Sequence, residues 1–406
     1  MPPSIFISAG EASGEHYGAL LVTALRKQLA AAGQTATFFG MGGARMEAAG
    51  LERIVRAEEM AVMGLTEVLR HLPHIYRELE RLKQSIRERR PAVAVLIDLP
   101  DLHFRVAREL HRLGIPVVFF VSPQLWAWKK HRIKFVQKYI DRMLVIFPFE
   151  EPYYRERGVQ AEFVGHPLAE MPLPSITRDE FALDNGLDPE KVWIGLLPGS
   201  RAKEIRELLP EMLRAADFLC RWVGKQSRTK PQFILPLAPT LTIAQRAEVR
   251  QTIALVAPRL PIHLVEDARA ALFHARASVV ASGTATVEAA LIGNPFVVVY
   301  RVSRLTFAIA RRVVKVPHVA MANLIAGKRM VPELIQDDFT AANIVQQIEL
   351  LLPEGPPRQR MMEELAQIRA LLHTGRAESA EQTGAMERVA QVALELCTFS
   401  APLVRN

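Results

Sequence analysis

Two hydrophobic rhythms alternate along most of this chain. Short, nearly continuous apolar runs predict strands buried on both faces. Between them, apolar residues recur every three or four positions, the spacing of helices with one buried face. Ser4–Ser8, Thr37–Phe39, Ala92–Asp98, Val117–Val121 and Met143–Phe147 are the strands of a first set, with a helix over Glu15–Ala31 and another from about Arg45. The pattern restarts after Pro172-Leu173-Pro174 with strands at Val192–Leu197, Gln232–Leu237, His263–Val265, Ser278–Ala281 and Phe296–Tyr300. Ile205, Leu208, Leu209, Met212, Leu213, Ala216 and Leu219 form one stripe of a long helix, with Pro210 inside it or in its first turn. Past the break at Pro353–Pro357, helices are expected over Gln359–Leu372 and Ala380–Leu396. Strand–helix alternation of this kind predicts an α/β protein with two doubly wound parallel sheets facing a cleft. The expected domains are 1–172 and 173–350, with a helical segment 351–406 whose last helix packs back on the first domain.

Composition narrows the class. The 406 residues suffice for two or three domains, half of them are hydrophobic, and the formal net charge is +8. A mean hydropathy of +0.09 is slightly greasy for a globular protein, and a pI near 9.6 suits anionic partners: phosphorylated ligands, an acidic membrane surface or nucleic acid. No run reaches the roughly 18 apolar residues of a spanning helix, and Met1-Pro2-Pro3-Ser4 lacks a signal peptide's basic start. Cys220 and Cys397 lie in helical patterns without a CxxC, which predicts buried reduced thiols, a cytosolic compartment and no structural metal.

Candidate chemistry gathers where strands meet helices. Leu196-Leu197-Pro198-Gly199-Ser200-Arg201 turns an apolar strand into a helix, so free N–H groups and the helix dipole can receive a phosphate. Arg201 adds a two-pronged donor. Ser282-Gly283-Thr284 repeats the arrangement, with Glu288 one turn on, placed for ribose hydroxyls. Either turn alone reads equally as an ordinary strand–helix connection. The loop Gly10-Glu11-Ala12-Ser13-Gly14-Glu15-His16 permits close backbone approach to a ligand, or is a plain turn with Ser13 as its cap. Asp98 ends a buried strand, where partial desolvation would make a general base; the alternative is a cap for the helix after Pro100. Asp101 has a structural role. Trp126 to Arg132 mixes aromatic and basic residues, suited to stacked bases, lipid headgroups or a helix entry with partly buried tryptophans. Met60, Val62, Met63, Leu65, Val68 and Leu69 form an apolar stretch beside Arg70, Arg77, Arg81 and Lys83, which reads as core or as an acyl-chain and membrane contact.

Taken in order, SAGEASGEHYGALL, MAVMGLTEVL, DLPDLHFRVA, SPQLWAWKKHRIK, VGHPL, LLPGSRAKEI, ASGTATVEAALIGNP and ANLIAGKRMVPELIQ resemble the lipid-A-disaccharide synthases, inverting glycosyltransferases of GT-B fold. The resemblance runs from Ser8 to about Gln336. It implies transfer of the sugar of UDP-2,3-diacylglucosamine to 2,3-diacylglucosamine 1-phosphate (lipid X), giving the β-1,6-linked disaccharide and UDP without a metal or other cofactor. It implies Asp98 as the base, Gly199, Ser200 and Arg201 at the diphosphate, and Ser282, Gly283, Thr284, Glu288 and Asn323 at the nucleotide. Ser13, Gly14, Glu15 and His16 belong to the first, acceptor-side loop. Glu15 stands where the family usually has Asp, and Ala322 where it usually has Pro. The implied partners are the two lipid substrates and the phospholipid surface at the cytoplasmic face of the inner membrane, with no nucleic acid. The competing readings are another GT-B UDP-sugar transferase or epimerase with a different acceptor, and a basic nucleic-acid-binding protein using Trp126–Lys134.

Overall fold

The computed structural model describes residues 2–10, 12–57, 65–226, 230–313, 316–373 and 384–398. The chain divides into two compact units. One comprises residues 1–170 together with 372–406, the other residues 171–371.

The first unit is built on a seven-stranded parallel sheet of order β3-β2-β1-β4-β5-β6-β7. Its strands are β1 (Ser4–Ala9), β2 (Thr37–Gly42), β3 (Leu51–Arg56), β4 (Val93–Ile97), β5 (Val117–Phe120), β6 (Arg142–Val145) and β7 (Ala161–Phe163). The helices are α1 (Ala12–Ala31), α2 (Ala44–Ala48), α3 (Leu65–Arg89), α4 (Pro100–Arg112), α5 (Ile133–Tyr139), α6 (Glu150–Arg155) and α7 (Pro167–Glu170). Every residue of β4 and β5 is buried, as continuous apolar runs require when helices cover both faces. Phe6, Phe39, Phe119 and Tyr154 belong to one hydrophobic core cluster.

The second unit carries a six-stranded parallel sheet, β10-β9-β8-β11-β12-β13. Its strands are β8 (Trp193–Leu197), β9 (Gln232–Pro236), β10 (Ile262–Val265), β11 (Ala277–Ala281), β12 (Phe296–Tyr300) and β13 (Glu333–Ile335). The helices are α8 (Arg178–Asn185), α9 (Ala202–Gln226), α10 (Ile243–Val256), α11 (Ala268–His274), α12 (Thr284–Ile292), α13 (Arg304–Val313), α14 (Met321–Ala326), α15 (Ala341–Glu349) and α16 (Pro356–Leu372). Pro210 lies in the interior of α9, beyond its first turn. Fully buried Trp193 anchors a core cluster with Phe181 and Ile234.

The last helix, α17 (Ala385–Thr398), packs on α1, as expected. Lys27 Nζ meets Glu387 Oε1 at 2.7 Å, and Arg388 grips Glu162 with two bonds of 2.6 and 2.9 Å. Both cysteines are free; Cys220 is buried, whereas Cys397 is only half-buried. No described helix is long and apolar enough to cross a membrane.

In each sheet the strand order reverses once, between β1 and β4 and between β8 and β11. The crevice at the carboxyl ends of such a strand pair is where open α/β sheets bind ligands. The candidate loops after Ala9, Ile97, Leu197 and Ala281 all leave these four strands.

Candidate active site

At the first switch point, Ala9 of β1 pairs with Ile97 of β4, so Gly10 and Asp98 emerge side by side. A Cβ on Gly10 would overlap Leu99 Cδ2, so that side chain would have to shift. Asp98 and Leu99 both adopt left-handed backbone, with φ of 54° and 50°. Val121, at the end of the neighbouring β5, has φ of 63°. Such conformations cost side-chain-bearing residues roughly 1–2 kcal/mol each and persist where surrounding bonds hold them. The Asp98 N–H donates to the Phe120 carbonyl at 2.9 Å. The Asp98 carbonyl lies 2.6 Å from His103 Nδ1, whose Nε2 lies 2.8 Å from Ser8 Oγ. The N-cap of α4 is Leu99, with no capping side chain, so Asp98 is not the helix cap. Asp101 is structural: Arg132 holds its carboxylate at 2.6 Å, with Lys129 at 3.9 Å.

In the first loop the helix begins earlier than the sequence pattern predicts. α1 begins at Ala12, which places Ser13 in the first helical turn rather than at the cap. Glu15 Oε1 accepts the Arg45 N–H at 2.9 Å, so this carboxylate faces the N-terminus of α2, where the helix dipole favours an anion. Gly14 is buried, and His16 is half-buried with its ring 6.0 Å from that of Tyr17.

Beyond β5, Ser122 to Lys129 is tied down from α6. Glu150 Oε1 accepts from Ser122 Oγ at 2.6 Å and Trp126 Nε1 at 3.0 Å, and Oε2 from the Phe147 N–H at 3.2 Å. Tyr153 and Tyr154 donate to the carbonyls of Leu125 and Pro123. Burial pushes the Glu150 carboxyl up to about 7, against the pull of its hydrogen bonds. Trp126 is half-buried, as expected, whereas Trp128 is exposed under the Lys129 ammonium, 4.1 Å from its ring centroid.

At the second switch point, Gly199 takes φ of 106°, and α9 starts directly after Arg201, whose carbonyl accepts the Ile205 N–H. Ser200 and Arg201 are exposed, with the guanidinium 3.4 Å from Glu204 Oε1. Tyr300 ends β12, close enough to both Glu204 and Arg201 for their charges to act on it; burial raises its phenol above the ordinary range. Across the switch, Gly283 is the N-cap of α12, with Ser282 half-buried and Thr284 exposed. Thr286 closes the turn on the Gly283 carbonyl at 2.7 Å. Glu288 pairs with Arg269 at 3.4 Å, and burial raises its carboxyl while Arg269 opposes the rise.

Asn323 lies inside the fold, on α14. It is 0 % exposed, and its amide is spent within the fold. Nδ2 donates to Val331 O at 3.0 Å and Glu333 Oε1 at 2.8 Å, while Oδ1 accepts from Met330 and Val331 N–H, both at 2.9 Å. Glu333 also receives the N–H groups of Val319 and Ala320. An amide with all four positions filled orders its loop; it has no donor left for a nucleotide.

His103, Glu150, Arg269, Tyr300 and Glu333 escape sequence reading because their partners are remote in the chain. Met60, Val62 and Met63 lie outside the described residues. Leu65, Val68 and Leu69 fall on the first turns of α3. Among the described residues no group of three or more His, Cys, Asp or Glu is gathered to hold a metal ion.

Two doubly wound parallel sheets, each with glycine-bearing turns at its switch point, define the GT-B class of fold. Solved structures share it over nearly the whole chain. The calicheamicin glycosyltransferase CalG4 has a TM-score of 0.58 at 17 % identity, covering 99 % of this chain and 100 % of its own. The UDP-GlcNAc 2-epimerase of Neisseria meningitidis, bound to UDP-GlcNAc, has a TM-score of 0.60 at 12 % identity, covering 97 % and 100 %. Sequence goes further. The lipid-A-disaccharide synthetase family model matches residues 5–386. A lipid-A-disaccharide synthase of Acidobacterium capsulatum is 60 % identical, covering 99 % of this chain and 98 % of that protein. One from Koribacter versatilis is 48 % identical over 96 % and 98 %. The chain belongs to the lipid-A-disaccharide synthase family of glycosyltransferases.

Proposed function

We propose that this protein transfers the glucosamine unit of UDP-2,3-diacylglucosamine to the 6-hydroxyl of lipid X. The Asp98 carboxylate takes the hydroxyl proton, and the oxygen attacks the anomeric carbon in line. The bond from that carbon to the UDP phosphate breaks, and UDP leaves with its electron pair. One displacement inverts the configuration and gives the β-1,6 disaccharide phosphate. The observation that carries this reading is the placement of Asp98 in a left-handed turn at the tip of β4, beside Gly10 and not serving as a helix cap.

The second unit holds the donor. Exposed Ser200 and Arg201, with the amides opening α9 and α12, receive the diphosphate and stabilise it as it leaves. Glu288, steadied by Arg269, takes ribose hydroxyls. Asn323 and Glu333 shape the neighbouring loop. The first loop and the Trp128–Arg132 cations serve the phosphorylated acceptor, and the segment from Met60 to Leu69 meets acyl chains. The protein works peripherally at the cytoplasmic face of the inner membrane, a placement its +8 charge supports.

The test is a detergent-micelle assay with both lipid substrates, following UDP release and disaccharide by mass spectrometry. The expected result is equimolar UDP and disaccharide. Folded, UDP-binding protein that forms no disaccharide overturns the substrate assignment and points to a different acceptor.

A further inference from the structure

His103 stands out among the buried groups that the reaction does not use. It is wholly buried on α4, five residues past Asp98, yet its ring bonds to two other elements. The Asp98 carbonyl can only accept, so the Nδ1 beside it must carry the proton. Burial holds the ring neutral, depressing its pKa to about 4. Nε2 is therefore a bare acceptor, and it takes the Ser8 hydroxyl proton. The tautomer follows from the partners. The peptide group on each side of Asp98 is thus anchored: its N–H to Phe120 of β5, its carbonyl to His103. Neither residue of the left-handed turn, Asp98 or Leu99, is a glycine, so the conformation depends on such anchors. Ser8 lies two residues before Gly10, so the same ring also links the turn to the start of the first loop.

We infer that His103 is a positioning residue: with Ser8 it locks the Asp98 turn, and through it aims the carboxylate at the acceptor hydroxyl. This rests on the reading of Asp98 as the base. His103 touches neither substrate. Its loss should lower turnover and leave donor binding alone.

The experiment compares His103→Leu, His103→Asn, Ser8→Ala and Asp98→Asn with wild type in the micelle assay, with UDP affinity measured by calorimetry. His103→Leu removes the donor to the Asp98 carbonyl and should lower kcat at least about tenfold, with UDP affinity unchanged within about twofold. An asparagine amide overlays the Nδ1 position, so His103→Asn should recover most of that loss although it cannot reach Ser8. Ser8→Ala keeps the inner bond and should lie between wild type and His103→Leu. Nitrogen-15 NMR of histidine-labelled wild type should show His103 neutral and protonated at Nδ1, a readout independent of any variant's folding. Wild-type turnover in folded His103→Leu, equal losses in the leucine and asparagine variants, or the opposite tautomer overturns the inference. An inactive Asp98→Asn beside an active His103→Leu leaves the base assignment standing and removes only the positioning role. An active Asp98→Asn removes both.

Discussion

Glu150 makes the stability of the first unit depend on pH in a direction opposite to its histidines. The carboxyl is 1 % exposed and sits among the Ser122 hydroxyl, the Trp126 indole and the Phe147 amide. Its pKa rises from 4.5 to about 7 on folding, chiefly through burial. Between those values the native state keeps a proton that the unfolded chain has released. Its stabilising contribution is therefore complete below about pH 4.5 and is lost as pH rises through 7. At 1.36 kcal/mol per unit, the swing is about 3 kcal/mol. Glu150→Gln removes the titration while one amide oxygen can still accept from Ser122 and Trp126. Its nitrogen then opposes the Phe147 N–H, at a cost of about 1–2 kcal/mol at every pH. Wild type should be the more stable at pH 5, and the order should narrow or invert by pH 8. His103 and His166, depressed to about 4 and about 3, destabilise the fold as pH falls below 6.5. They are common to both proteins and cancel in the difference. Native-state hydrogen exchange over β5 and β6 reads this opening energy for the first unit alone. A wild-type-minus-variant difference that stays constant from pH 5 to 8 refutes the assignment of a buried, titrating Glu150.

Two further perturbations separate loop order from ligand contact. Asn323→Ala strips partners from two buried N–H groups and from the Val331 carbonyl, which should destabilise the second unit by about 3–5 kcal/mol. Thermal melts should show it; unaltered stability with lost UDP affinity would return Asn323 to the role of direct contact. Gly199→Ala puts a Cβ 2.5 Å from Glu204 Oε2 at a φ of 106°, so the turn must shift. Calorimetry should find UDP binding weakened at least about tenfold; wild-type affinity would exclude this turn from the diphosphate site.

Ten of the thirteen described strands are legible as apolar runs, because most are buried on both faces and so lack polar alternation. The other three sit next to or at sheet edges and lack that signal. β3 reads Leu-Glu-Arg-Ile-Val-Arg, with Glu52 and Arg56 exposed, and β7 and β13 are three residues long. The candidate loops were legible for a topological reason: each follows a recognisable strand, and the reversal of strand order brings them together in pairs. Individual roles were less so. Glu15 accepts from the Arg45 N–H, thirty positions away, and Glu150 from the Ser122 hydroxyl, twenty-eight positions away. Asn323 fills all four positions of its amide with Met330, Val331 and Glu333. Local spacing carries no record of such bonds.

In the proposed mechanism Asp98, at the tip of β4, removes the acceptor proton while a separate unit binds the nucleotide. Single-turnover transfer by Asp98→Asn, with UDP affinity measured on the same preparation, tests it most directly. Disaccharide formation should be slowed at least about 10²-fold, with UDP affinity within about twofold of wild type. Transfer at a wild-type rate, or a parallel loss of UDP affinity, would contradict it.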